Sequence, residues 1–116
     1  MRYLLGIDFG GGASKATLLS ENGEIRATAT TEYPTSYPAP GYAEQNPSDW
    51  VKATCLNIKT VLDKSGISPA DIVCVSLDAA THTAVIMDEN FNVLRNSIYW
   101  TDTRSIKEVQ FLKENY

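Results

Sequence analysis

Asp8 stands at the end of a short apolar run and is followed, one residue on, by Gly10-Gly11-Gly12. This puts a carboxylate at the carboxyl end of a strand, directly before a turn of residues that lack side chains. Three successive glycines exceed what a two-residue hairpin needs. They allow backbone N–H groups to approach a phosphate closely. A carboxylate beside phosphate makes physical sense when a magnesium ion bridges them, bound directly or through water. Lys15 adds a charge-assisted contact if it points to the same end. The plainer reading is a glycine-rich hairpin with an exposed aspartate. Two phosphate-binding patterns are excluded. GxxxxGK[ST] is absent, and a strand rather than a helix follows the glycines, which also removes the dinucleotide fingerprint.

A second group of polar residues, Asp78, Thr81, His82 and Thr83, follows the apolar run Ile72 to Leu77. His82 is the only histidine of the chain. Such a lining suits hydroxyl recognition, because each buried hydroxyl needs a paired partner. The plain alternative for His82 is a solvated turn residue. A third group lies at Trp100, Asp102 and Arg104. Trp100 reads equally as a ring lining a ligand and as packing at a strand end. Asp102 and Arg104 can cap and charge-pair at the start of a helix.

The elements that position these groups can be read from pattern and punctuation. Tyr3 to Phe9 is predicted as a strand ending at the glycines. Ala13 to Ser20 is a second strand. Asn22-Gly23 signals a hairpin into a third, Glu24 to Tyr33, where Ile25, Ala27 and Ala29 alternate with polar residues. Pro34 to Pro47 holds four of the five prolines and reads as a loop, which Glu44 and Gln45 are expected to organise. A helix follows, capped by Asn46 with Pro47 at its first position. Its buried face is predicted to carry Val51, Cys55, Ile58 and Leu62, flanked by Trp50, Thr54 and Val61, with Trp50 anchoring it on the sheet. Gly66 stops it, and Ser68 to Asp71 makes a turn. The run Ile72 to Leu77 suits a strand covered on both faces, parallel to the first through a right-handed crossover. That pairing brings Asp8 and the Asp78–His82 turn to one sheet edge, where ligands gather in open α/β sheets. Ala84 to Met87 and Val93 to Leu94 flank a hairpin turn at Asp88-Glu89-Asn90. Ser97 to Trp100 is a short strand, and a helix begins near Thr103.

The chain has 116 residues, 43% apolar and 21% charged, and reads as one α/β domain. Ten basic residues face fourteen acidic ones, a net charge of -4, with no basic stripe to neutralise nucleic acid. Cys55 and Cys74 show neither CxxC spacing nor a histidine cluster and are expected as buried free thiols. The apolar start is too short for a signal peptide, and no stretch approaches the ~20 apolar residues of a membrane span. A cytoplasmic protein without a membrane partner is expected.

The segment Gly6 to Ala16 resembles the first phosphate motif of the actin-like ATPase superfamily, Asp-x-Gly-Thr/Ser and a small residue, shared by hexokinases, heat-shock chaperones and the FGGY carbohydrate kinases. Gly11 and Gly12 stand where a hydroxyl residue is common, which leaves the backbone contacts. Pro40-Gly41-Tyr42-Ala43-Glu44-Gln45-Asn46-Pro47-Ser48-Asp49-Trp50 resembles the Gly-aromatic-x-Glu-Gln-x-Pro-x-x-Trp segment of the FGGY family. Asn96-Ser97-Ile98-Tyr99-Trp100-Thr101-Asp102-Thr103-Arg104 resembles that family's Trp-x-Asp-x-Arg segment. The resemblance spans essentially the whole chain and is strongest to xylulokinase-like members.

The resemblance implies a ribonuclease H-like (actin-like ATPase) fold: a mixed sheet of three antiparallel strands, a helix, a parallel strand and a further hairpin, forming the N-terminal domain of a longer kinase. It implies ATP and Mg2+ as cofactors, with Asp8, Gly10, Gly11, Gly12, Ser14 and Lys15 on the cofactor side and Asp8 on the metal. Thr81, His82, Trp100 and Asp102 fall on the substrate side, and Arg104 is structural. His82 matches the histidine of a Met-His pair that contacts sugar, with Thr81 in place of the methionine. The Arg-Glu pair of glycerol kinases is missing. A sugar or polyol, most simply a pentulose such as xylulose, is the implied small-molecule partner, and a homodimer of the longer parent is allowed. The family's catalytic base lies downstream of these residues, so this chain alone is expected to be inactive. Two other readings remain at this point. One is a non-catalytic actin-like domain for nucleotide binding or assembly. The other is a sugar-responsive regulator that keeps the fold.

Overall fold

The computed structural model describes all residues, Met1–Tyr116. In chain order the elements are β1 (Tyr3–Phe9), β2 (Ala13–Ser20), β3 (Ile25–Glu32), β4 (Glu44–Gln45), α1 (Pro47–Ser65), a short 3-10 turn (Pro69–Asp71), β5 (Ile72–Ala79), β6 (Ser97–Ile98) and α2 (Ile106–Asn115). The chain forms two compact units. One comprises Met1–Tyr33 and Ser48–Ala80, the other Pro34–Pro47 and Thr81–Tyr116.

The first unit is built on a four-stranded sheet of order β3-β2-β1-β5. The β1–β2 and β2–β3 pairs are antiparallel, and β5 runs parallel to β1. This is the mixed sheet anticipated from the order of the elements. Period-two alternation sends Leu5 and Ile7 of β1, Ala16 and Leu18 of β2, and Ala27 and Ala29 of β3 into one core with Val61 of α1. The alanines of β2 and β3 leave room for the helix to approach the sheet. The other face of β1 and β2 carries Asp8, Lys15 and Thr17.

Three expectations are corrected here. The buried side of α1 is Ala53, Thr54, Asn57 and Val61, with Ile58 packed against the core as expected, while Val51 and Cys55 face solvent. The helix is rotated toward the flank that holds Thr54 and Val61, because two of its buried residues are polar. β5 is the edge strand, not a central one. Its Val73, Val75 and Leu77 stay 56%, 55% and 63% exposed, because the core lies over β1 to β3. Cys74, carried on that edge, is exposed as well, so neither thiol is buried.

In the second unit, β4 pairs antiparallel with β6, with Glu44 opposite Ile98 and Gln45 opposite Ser97. The proline loop therefore contains a short strand, which its composition hid. The expected hairpin keeps its turn: Asp88 accepts hydrogen bonds from the backbone N–H groups of Asn90 and Asn92. Its arms shrink to single bridges, Met87 to Val93 and Ala84 to Ile98. α2 begins at Ile106, later than the expected Thr103. Thr103 N–H is taken by Gly41 C=O, and Arg104 N–H by the Asp102 carboxylate.

Candidate functional site

In the first unit a cavity of about 260 Å³ opens on the sheet face opposite the core and is lined by Asp8, Lys15, Thr17, Ser76 and Asp78 among others. Asp8 sits between two register partners, Lys15 on β2 and Asp78 on β5. Loss of hydration raises the Asp8 pKa, and a side-chain hydrogen bond with Asp78 and repulsion from its charge raise it further; Lys15 opposes them. Two carboxyl groups this close favour a shared proton or a cation. The donors are hard oxygens, as magnesium prefers, and magnesium proteins commonly supply one or two carboxylates while water and phosphate complete the shell. No third His, Cys, Asp or Glu joins the pair. Asp8 and Asp78 thus fit that ion in the presence of a phosphate ligand.

The glycine turn is closed by Gly10 N–H donating to Ala13 C=O at 2.9 Å. A Cβ on Gly10 would lie 3.0 Å from the Ala13 oxygen and 3.8 Å from both Asp8 carboxylate oxygens, so a side chain there would crowd both the turn and the carboxylate. Tyr33 holds the turn from below. Its N–H donates to Gly12 C=O at 3.0 Å, and its hydroxyl reaches the carbonyls of Gly10 and Ala13. Ser14 is fully buried, with its Oγ 2.8 Å from Thr54 Oγ1, and its carbonyl accepts from Asn57 Nδ2 at 2.7 Å. Asn57 Oδ1 in turn accepts from Thr31 Oγ1 at 2.6 Å. The hydroxyl of Ser14, a residue expected on the cofactor side, thus ties its strand to α1. Tyr33, Thr54 and Asn57 were missed because their role depends on contacts 20 to 43 residues apart.

In the second unit, His82 lies directly after Thr81, with its Nδ1 2.9 Å from the Thr81 hydroxyl. Its backbone is in the left-handed region, φ 56°, uncommon for a residue with a side chain though histidine enters it more often than most. Both side chains are exposed. Trp100 is 59% exposed and touches Tyr99 edge-on, ring centroids 5.9 Å apart. It is not packed in a core. Asp102 differs: its side chain is only 2% exposed. Its carboxylate accepts from Ala43 N–H at 2.7 Å, Arg104 N–H at 2.9 Å, and the Arg104 guanidinium at 2.8 to 3.0 Å. These bonds, led by those from the guanidinium, hold its pKa well below the usual carboxylate range. Arg104 also reaches Glu44 at 2.7 Å, and Glu44 holds Arg95 at 2.9 Å. Both Asp102 oxygens, expected to meet a substrate hydroxyl, are thus already reached by protein donors. Glu44 organises the proline loop through these two arginines.

This fold, with a carboxylate-and-glycine edge on its first strand, is that of a carbohydrate kinase N-terminal domain. The chain belongs to the FGGY family of carbohydrate kinases, whose N-terminal domain model matches residues 3–116. It is 35% identical to the xylulose kinase of Bacillus subtilis (strain 168) over 116 residues, covering 100% of this chain and 23% of that protein. It is 34% identical to the glycerol kinase of Citrifermentans bemidjiense over 115 residues, covering 98% of this chain and 23% of the relative. Among solved structures, that of a xyloylose kinase from Brucella ovis superposes with a TM-score of 0.92 at 32% identity, covering 98% of this chain and 24% of that one. The chain thus spans about a quarter of the length of the relatives it matches.

Proposed function

We propose that this chain is the phosphate-binding N-terminal domain of an ATP-dependent kinase that phosphorylates a hydroxyl group of a sugar or polyol. The observation that carries the reading is Asp8 at the carboxyl edge of β1, beside a turn where a side chain at Gly10 would crowd the Ala13 carbonyl, in a chain whose family is one of carbohydrate kinases. Asp8, with Asp78 opposite, holds Mg2+ through oxygen. The Gly10-Gly11-Gly12 backbone lies against the ATP phosphates, and Lys15 adds positive charge. When bound, Mg2+ offsets the charge that develops on the transferred phosphoryl group. Thr81, His82 and the face of Trp100 belong to the sugar side. His82, together with the absence of an Arg-Glu pair, favours a pentulose such as xylulose over glycerol. The chain alone turns over no sugar, because phosphoryl transfer needs groups positioned on both sides of a closed site. The reading places the protein in the cytoplasm, and no helix is long and apolar enough to cross a membrane.

The test is ADP release by the protein of the complete reading frame, with Mg-ATP and a panel of ketoses, aldoses and polyols. Release stimulated by one sugar, abolished in Asp8→Ala and shifted to higher sugar KM in His82→Ala, is the expected result. A folded protein that binds ATP yet responds to no panel member overturns the kinase reading.

A further inference from the structure

The second unit contains an ion cluster that neither the phosphate chemistry nor hydroxyl recognition uses. Asp102, buried to within 2% of its side-chain surface, receives donors on both oxygens: Arg104 N–H and Nε on Oδ1, and Ala43 N–H with Arg104 Nε and Nη2 on Oδ2. A carboxylate offers about four lone-pair directions, so a substrate hydroxyl would have to displace one of these bonds. Arg104 Nη2 is shared between Asp102 and Glu44, and the guanidinium lies 3.9 Å from the centre of the Tyr42 ring. Arg95 closes the far side of Glu44.

This cluster brackets one turn. Asp102 N–H donates to Tyr99 C=O at 2.9 Å, which makes Trp100 and Thr101 the corners of a four-residue turn. Both ends of the turn are tied to one short segment: Tyr99 N–H to Ala43 C=O at 2.9 Å, and Thr103 N–H to Gly41 C=O at 2.7 Å. Trp100 stands 59% exposed at a corner of this turn, with the edge of the Tyr99 ring against it. Its place on the surface is that of the turn, and Asp102 ends the turn.

We propose that Asp102, Arg104 and Glu44 form a positioning clamp that fixes the exposed ring of Trp100 for the sugar, and that Asp102 acts through Trp100 rather than by touching substrate. The sugar part of this inference rests on the kinase reading above; the clamp itself does not. Loss of the Asp102 charge frees Arg104 from its forked partner while Glu44 still retains it, so the turn loosens without leaving a wholly unpaired cation. Ring orientation matters at the level of binding, because a reacting or contacting group misplaced by about 1 Å loses much of its effect.

The experiment uses the protein of the complete reading frame, labelled with 5-fluorotryptophan, its Trp100 fluorine resonance assigned by Trp100→Phe. In Asp102→Asn, and more mildly in Glu44→Gln, the Trp100 resonance is expected to shift and change width without any ligand. Sugar KM is expected to rise roughly tenfold, with kcat falling no more than about twofold and ATP KM unmoved. In a Trp100→Ala background the same Asp102→Asn change is expected to add little further, since the clamp then has no ring to orient. Full additivity of the two changes would make Asp102 a direct ligand and overturn the proposal. An unmoved Trp100 resonance in both Asp102→Asn and Glu44→Gln would also overturn it. If Asp102→Asn fails to fold, Glu44→Gln alone carries the resonance and KM readings. If the wild-type protein turns over no sugar, the kinase reading fails, while the resonance still decides the clamp.

Discussion

Asp8 and Asp78 are register partners across the parallel pairing of β1 with β5, and burial together with the neighbouring Asp78 carboxyl raises the Asp8 pKa. An arrangement that suits a cation is costly without one. The folded protein holds the Asp8 proton more tightly than the unfolded chain does. Stability therefore falls as pH rises from the ordinary carboxyl value of 3.8 through the raised folded value. Asp8→Asn removes this loss. The variant is expected to melt above wild type at pH 7, to match it near pH 3, and to lose magnesium-dependent ATP binding. Thermal melts at the two pH values, with ATP titrations alongside, check this; a variant less stable at pH 7 would show that the pair carries no such cost.

The Tyr33 hydroxyl reaches two carbonyls of the glycine turn. Tyr33→Phe keeps the ring and removes only that contact. The expected loss is about 1 kcal/mol in urea unfolding, the usual net worth of one hydrogen bond. If the turn holds ATP phosphates, ATP KM rises while sugar KM stays. Unchanged stability together with unchanged ATP KM would remove Tyr33 from any role in the turn.

Gly41 has φ +80°, and a Cβ there would lie 2.8 Å from Thr103 Oγ1. Gly41→Ala must both hold a left-handed backbone and push Thr103 away. A destabilisation of about 1–3 kcal/mol is expected. Thr103→Ser/Gly41→Ala retains the clash and should recover nothing, whereas Thr103→Ala/Gly41→Ala should recover the steric part. Urea midpoints of the three variants decide it.

Asp102 titrates in the opposite sense to Asp8. Arg104 holds its folded pKa low, so the stability it contributes is complete above the unfolded value of about 3.9 and is lost only as pH falls below it. Wild type should therefore lose stability more steeply than Asp102→Asn between pH 4 and more strongly acid conditions. Parallel urea midpoints for the two proteins over that range would contradict the ion pairing.

Much of the first unit was legible because its boundaries are written in punctuation. The glycines after Phe9, Asn22-Gly23 and Gly66 fall where β1, the β2–β3 turn and α1 end. The parallel partnership of β5 followed from the intervening helix. Much of what escaped had one cause: side chains satisfied by partners far along the chain. Thr54 and Asn57 are buried because Ser14 and Thr31 bond them, and no local hydrophobic count sees that. Asp102 looked like a ligand because its segment resembles a binding motif, yet its position is decided by Ala43 and Arg104, and Arg104 by Glu44, 60 residues away. The arms of the Asp88 hairpin carry the right residues for strands, but the ladder stops at Met87 and Val93.

The open side of β5 has a physical consequence of its own. Val73, Val75 and Leu77 stand half-bare on that rim beside the Cys74 thiol, and an open strand edge of this kind is a template for sheet growth between molecules. One device tempers it: a register shift at Val73, where Tyr3 pairs with Ile72 and Leu4 with Cys74, which bends the strand at its start. The rest of the rim carries no proline and runs straight on to Asp78, in register with Asp8.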